Sequence, residues 1–89
     1  MYIRIYNKKL HISFDAAKSE HNFATRGITF EPAAEFEWDS ALRVEDLRRR
    51  YGEQRFQALG LTNSRQHMLV FTPRASEAHV ISLRKANKR

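Results

Sequence analysis

The chain has 89 residues, enough for one modest hydrophobic core and too few for two. A hydrophobic content of 42%, with six Phe, three Tyr and one Trp, excludes a disordered polymer, and no run approaches the about 18 apolar residues of a membrane-spanning helix. The absence of cysteine excludes disulfides, thiolate nucleophiles and thiolate metal sites together, so stability must come from packing.

The first ten residues, MYIRIYNKKL, lack the apolar stretch and small-residue cleavage site of a secretory signal, which points to the cytoplasm. The formal charge of +6 is unevenly spread. Residues 31–46 carry six acids against Arg43, a net −5, whereas residues 47–89 carry ten bases against Glu53 and Glu77, a net +8. A basic half of this density, richer in arginine than lysine, suits a phosphate backbone, because the guanidinium fork matches phosphate oxygens and the attraction is long-ranged.

In chain order, residues 2–6 alternate as a short edge strand. Asp15 caps a helix over residues 16–26 in which Ala16, Ala17, Phe23 and Ala24 recur at helical spacing, and Gly27 supplies the left-handed stop. Thr29 and Pro32 open a second, short helix with an apolar stripe of Ala33, Ala34 and Phe36, ending near Trp38, which reads as core. From there the period falls to two. Strands are predicted over residues 41–44, 55–61, 68–71 and from His79 onward, with turns at residues 49–52 and 63–64, a stop at Pro73 and a loop over residues 75–77. The predicted fold class is therefore α+β: two N-terminal helices packed on an antiparallel sheet of about four strands, in one domain spanning residues 1–89.

The last strand, HVISLRKANKR, joins the apolar Val80, Ile81 and Leu83 to Arg84, Lys85, Lys88 and Arg89, so one element both anchors a core and projects cations. Arg74 and Arg84 are expected at corresponding ends of neighbouring strands, with Arg55 on the same face if the register allows. His11, His21, His67 and His79 form no metal spacing, and no cofactor is expected; His67 and His79 are expected to pair across adjacent strands. Ser13, Ser64 and Ser82 show no activating partner, which leaves a hydrolase triad unsupported.

The sequence resembles the BrnT toxins of bacterial type II toxin–antitoxin systems. The resemblance rests on Phe14-Asp15 with Lys18 and Asn22, on Gly27-Ile28-Thr29-Phe30-Glu31 with Ala33-Ala34, on Tyr51-Gly52-Glu53 with Arg55 and Gly60, on Thr72 and Arg74, and on Ile81-Ser82 with Arg84-Lys85-Ala86. It covers residues 12–88 and implies a RelE-like ribonuclease fold, metal-independent endoribonuclease activity that inhibits translation, and neutralisation by a BrnA-type antitoxin in a hetero-oligomer. DNA contact would come only through the antitoxin.

Carried over by position, the family's functional residues fall on Thr25, Arg26, Arg49, Glu53, Arg74 and Arg84. The chain departs from the family where Thr25-Arg26 replaces Lys-His and where Arg49 replaces His. Guanidinium binds phosphate but is a poor proton shuttle, so both departures trade acid–base groups for electrostatic ones. The resemblance thus implies Arg26, Arg49, Glu53, Arg74 and Arg84 as catalytic; Glu53, placed between Arg49 and Arg55, is the expected general base, and Arg50, Tyr51, Arg55 and Lys85 are the expected RNA contacts. The alternative is a chain that binds RNA and antitoxin but has lost cleavage.

Overall fold

The computed structural model describes residues 11–48, 50 and 52–86; the strand expected over residues 2–6 lies outside them. The expected pair of helices on a four-stranded antiparallel sheet does not form. There is instead one α-helix and a five-stranded mixed sheet, with strands β1 (His11–Ser13), β2 (Leu42–Glu45), β3 (Phe56–Thr62), β4 (Arg65–Arg74) and β5 (Glu77–Lys85) in the order β1-β5-β4-β3-β2. Neighbours from β2 to β5 are antiparallel, while β1 runs parallel to β5, pairing His11 with Glu77 and Ser13 with His79. Three residues are too few to show a period, and the partner strand lies far away in sequence, so β1 left no local signal.

Helix α1 (Ala16–Arg26) has the expected bounds and caps. The Asp15 carboxylate accepts from the amides of Ala17 and Lys18, and Gly27, at φ 86°, donates its amide to the Phe23 carbonyl. Its packing differs from the apolar stripe expected: Ala16, Ala17, Phe23 and Ala24 are exposed, and the buried residues are Ser19 and Asn22. The Phe30 amide donates to Ser19 Oγ at 2.8 Å, and Asn22 Nδ2 donates to the carbonyls of Ile28 and Leu83 at 2.9 and 2.8 Å. Because β1 pairs only with residues 77–79, the rest of that β5 edge is open, and Asn22 fastens α1 to it.

The second expected helix is a single 3-10 segment, Glu31–Glu35, after which the chain is extended. This stretch lays the core down. Phe30, Ala33, Phe36 and Trp38 pack on Ala58, Leu69, Phe71, Ala78, Val80 and Leu83 from one face of the sheet. Trp38 stands edge-on to Phe36 and Phe71, with ring centroids 4.9 and 5.1 Å away. Gly60 is required by this packing, since a Cβ there would lie 2.7 Å from Phe36 Cζ and 2.9 Å from Ala41 Cβ.

β4 is longer than expected and continues through Pro73, which pairs with Ala78. β3 begins opposite Phe71, so at Pro73 the strand has a neighbour only on the β5 side and the missing donor breaks no ladder on the other. His67 pairs with Gly60 and Lys85, whereas His79 pairs with Thr72 and Ser13, so the two histidines do not meet.

Candidate active site

Alternation along the strands fixes what the second face of the sheet presents. With Ala58, Leu69 and Leu83 in the core, Gln57, Met68, Val70, Ser82 and Arg84 must point away from it. One irregularity alters the pattern: Val70 pairs with Ser82 but Phe71 pairs with Val80, leaving Ile81 as the extra residue of a bulge. Ile81 and Ser82 therefore both face the same way, and both line a cleft of about 430 Å³.

The cleft is strongly cationic. Its floor is Gln57, Met68, Val70, Ile81 and Ser82, and its rim carries four guanidinium groups, Arg26, Arg48, Arg55 and Arg84. They come from separate elements: Arg26 from the last turn of α1, Arg48 from the segment after β2, Arg55 from the residue before β3, and Arg84 from the end of β5. Asp46, itself buried, holds Arg48 in a bidentate pair, with Nε to Oδ1 at 2.8 Å and Nη2 to Oδ2 at 2.7 Å.

Arg74 is not among the cleft residues. β4 and β5 are antiparallel, so Arg74 faces Glu77 while Arg84 faces Met68, and the two arginines sit at opposite ends of the ladder rather than at corresponding ends. Arg74 belongs to a second group, with its Nη2 3.7 Å from Glu53 Oε1. His79 completes this group from the middle row: it is opposite Thr72, whose hydroxyl donates to the Gln54 carbonyl at 2.6 Å, and two residues before Ile81 on the same face. Its Nδ1 is hydrogen bonded to Ser13 Oγ at 2.9 Å, so Ser13 does have a histidine partner, one 66 residues away in sequence. Partial burial, helped by the Arg74 charge, holds the imidazole below its ordinary value, against opposing pulls from Glu53 and Asp15.

The remaining expected site residues divide as follows. Arg50 is exposed, and Arg49 and Tyr51 lie outside the described residues. Lys85 is in register with His67 and so leaves from the core side of the sheet, away from the cleft. Thr25 turns its hydroxyl back to donate to the His21 carbonyl at 3.0 Å, which takes it out of the site. Sequence reasoning missed the Ser13–His79 contact, the bulge and the Asp46 clamp on Arg48. The first depends on a parallel pairing of remote segments and the second on register, whereas the Asp46–Arg48 pair is local, two residues apart, and depends on the burial of Asp46.

Among the described residues no group of three or more His, Cys, Asp or Glu side chains is placed to hold a metal ion, and no helix is long and apolar enough to cross a membrane. In comparison with known proteins, residues 14–89 match the family model described as the ribonuclease toxin BrnT of type II toxin–antitoxin systems. No curated protein matches the chain.

Proposed function

The chain belongs to the BrnT family of ribonuclease toxins of type II toxin–antitoxin systems, and from that premise we propose that it is a cytoplasmic endoribonuclease whose arginine cleft binds the RNA backbone beside the scissile phosphate. The observation that carries this reading is the convergence of Arg26, Arg55 and Arg84, from three separate elements, on one concave sheet face. Cations scattered for solubility have no reason to line one cleft. Cations that bind a phosphate must do so.

The reaction proposed uses the RNA's own 2′-hydroxyl as nucleophile. A base removes its proton, the 2′-oxygen attacks phosphorus, the bond to the 5′-oxygen breaks, and that oxygen takes up a proton, leaving a 2′,3′-cyclic phosphate and a 5′-hydroxyl. Charge builds on the non-bridging oxygens as phosphorus becomes pentacoordinate, and the guanidinium groups of Arg55 and Arg84 would stabilise it there. Glu53 is the proposed base. What supports this choice is that Glu53 lies two residues before Arg55, with its Oε1 3.7 Å from Arg74 Nη2, on the side of the cleft away from Arg84. No step in this scheme requires a metal ion.

A type II toxin is held inactive by a protein antitoxin, and the proposed partner is a BrnA-type chain. An acidic segment laid over the arginine cleft would neutralise it directly. Translation arrest follows if the RNA cut is messenger. Expression of the chain alone should then stop growth and reduce cellular RNA to fragments with 5′-hydroxyl ends, both relieved by the antitoxin; growth arrest with intact RNA would count against the ribonuclease reading.

A further inference from the structure

The reaction requires a group that gives a proton to the departing 5′-oxygen, and the arginines of the cleft cannot supply it. Four histidines are described. His11 is exposed at the outer end of β1, His21 is exposed on α1, and His67 is buried on the core side with Nδ1 2.8 Å from the Arg65 carbonyl. His79 alone is half-buried on the cleft side of the sheet between the two halves of the site. Ile81, two residues on, is part of the cleft floor, and Thr72, opposite His79, donates its hydroxyl to the carbonyl of Gln54, the residue before Arg55.

We propose that His79 is the general acid of RNA cleavage, with Ser13 as the positioning residue that fixes its ring. The proposal rests on the ribonuclease reading above. In the imidazolium, the Nδ1 hydrogen donates to Ser13 Oγ, which leaves the Nε2 hydrogen for the substrate. As the 2′-hydroxyl proton passes to the Glu53 carboxylate and the 2′-oxygen bonds to phosphorus, the electrons of the breaking bond go to the 5′-oxygen. That oxygen takes the Nε2 proton, and solvent restores both groups for the next turnover. Ser13 keeps its bond throughout, because the neutral ring still carries hydrogen on Nδ1.

The charged groups around His79 come from every neighbouring element: Arg74 from β4, Glu53 from the segment before β3, Asp15 and Lys18 from the start of α1, Glu77 from β5 itself, and His11 from β1 beside Glu77. The balance lowers the affinity of His79 for its proton, which makes the imidazolium the stronger acid and confines it to mildly acidic solution.

The test compares wild type, His79→Gln, Ser13→Ala and, as a control, His21→Gln on two substrates: an RNA dinucleotide, and a nucleoside 3′-(p-nitrophenyl phosphate) whose leaving group needs no proton. On the dinucleotide, wild-type kcat/KM should fall about tenfold per pH unit above a midpoint below 6.5. His79→Gln should lose that limb and about 10²- to 10⁴-fold in rate, and Ser13→Ala should shift the midpoint. His79→Gln should cut the nitrophenyl ester within a few-fold of wild type, which also shows that it has folded. His21→Gln should behave as wild type. If wild type cuts RNA but His79→Gln keeps the pH limb, or loses both substrates equally while folded by circular dichroism, the assignment of His79 is overturned alone. If wild type cuts neither substrate, the ribonuclease reading falls and this inference with it.

Discussion

Arg74 and Arg84 stand at opposite ends of the β4–β5 ladder, Arg74 opposite Glu77 and Arg84 opposite Met68, a separation of roughly 20 Å along the strands. In the proposed site, a phosphate-binding cleft containing Arg55 and Arg84 lies beside a proton-handling cluster of Arg74, Glu53 and His79. Substitutions at the two ends should act independently. Arg84→Ala should weaken RNA binding about 10- to 100-fold and reduce the dependence of log Kd on log salt by about 0.7, the loss expected for one single-strand phosphate contact. Arg74→Ala should leave binding nearly intact. The double variant should be additive within about 0.5 kcal/mol, whereas Arg55→Ala with Arg84→Ala should not be. Binding measured over a range of salt concentrations checks both expectations.

Glu53 is exposed, and its ion pair with Arg74 is long at 3.7 Å, so the pair contributes little to folding. Glu53→Gln should keep the wild-type melting temperature within about 2 °C while cutting turnover about 10²- to 10⁴-fold. Turnover at the wild-type rate in this variant would remove Glu53 from the mechanism.

At Gly60 the sheet packs tightly against Phe36, the residue that follows the 3-10 segment, and against Ala41. Gly60→Ala forces a methyl group to within 2.7 Å of Phe36 Cζ and 2.9 Å of Ala41 Cβ, in a region already filled by Trp38. Loss of about 1 to 3 kcal/mol is expected, read as a lower midpoint in urea with unchanged slope.

Asn22 is the bolt between α1 and the sheet. Asn22→Ala leaves the carbonyls of Ile28 and Leu83 without that donor and should cost about 1 to 3 kcal/mol. Because Arg26 is carried on the same helix, the variant should also weaken RNA binding at temperatures where it is still folded. Asn22→Asp, which cannot donate to a carbonyl when ionised, should be no better.

The parts of this fold that local chemistry determines were legible in the sequence. Asp15 and Gly27 mark both ends of α1, and period-two runs place β2, β3 and β5 to within a few residues. What the sequence hid depends on partners far along the chain. The spacing of Ala16, Ala17, Phe23 and Ala24 suggested an apolar docking face, yet the helix docks through Ser19 and Asn22, whose acceptor and donor partners lie at Phe30, Ile28 and Leu83. Pro73 looked like a strand end because nothing local reveals that its outer side has no neighbour. Arg55 and Arg84 were expected together and line one cleft; Arg74 was placed with them by strand position alone and is separated by antiparallel register. Ser13 and His79 became partners only through a three-residue parallel strand.

The chain is proposed to cut RNA with its own side chains on a substrate held by the arginine cleft. The most direct test is incubation of purified chain with a defined single-stranded RNA in excess chelator, followed by analysis of the product ends. The expected products are fragments ending in 2′,3′-cyclic phosphate and 5′-hydroxyl, formed at the same rate with and without chelator and lost in the Arg55→Ala, Arg84→Ala double variant. RNA that stays intact, or cleavage that disappears with the chelator, would contradict the proposal.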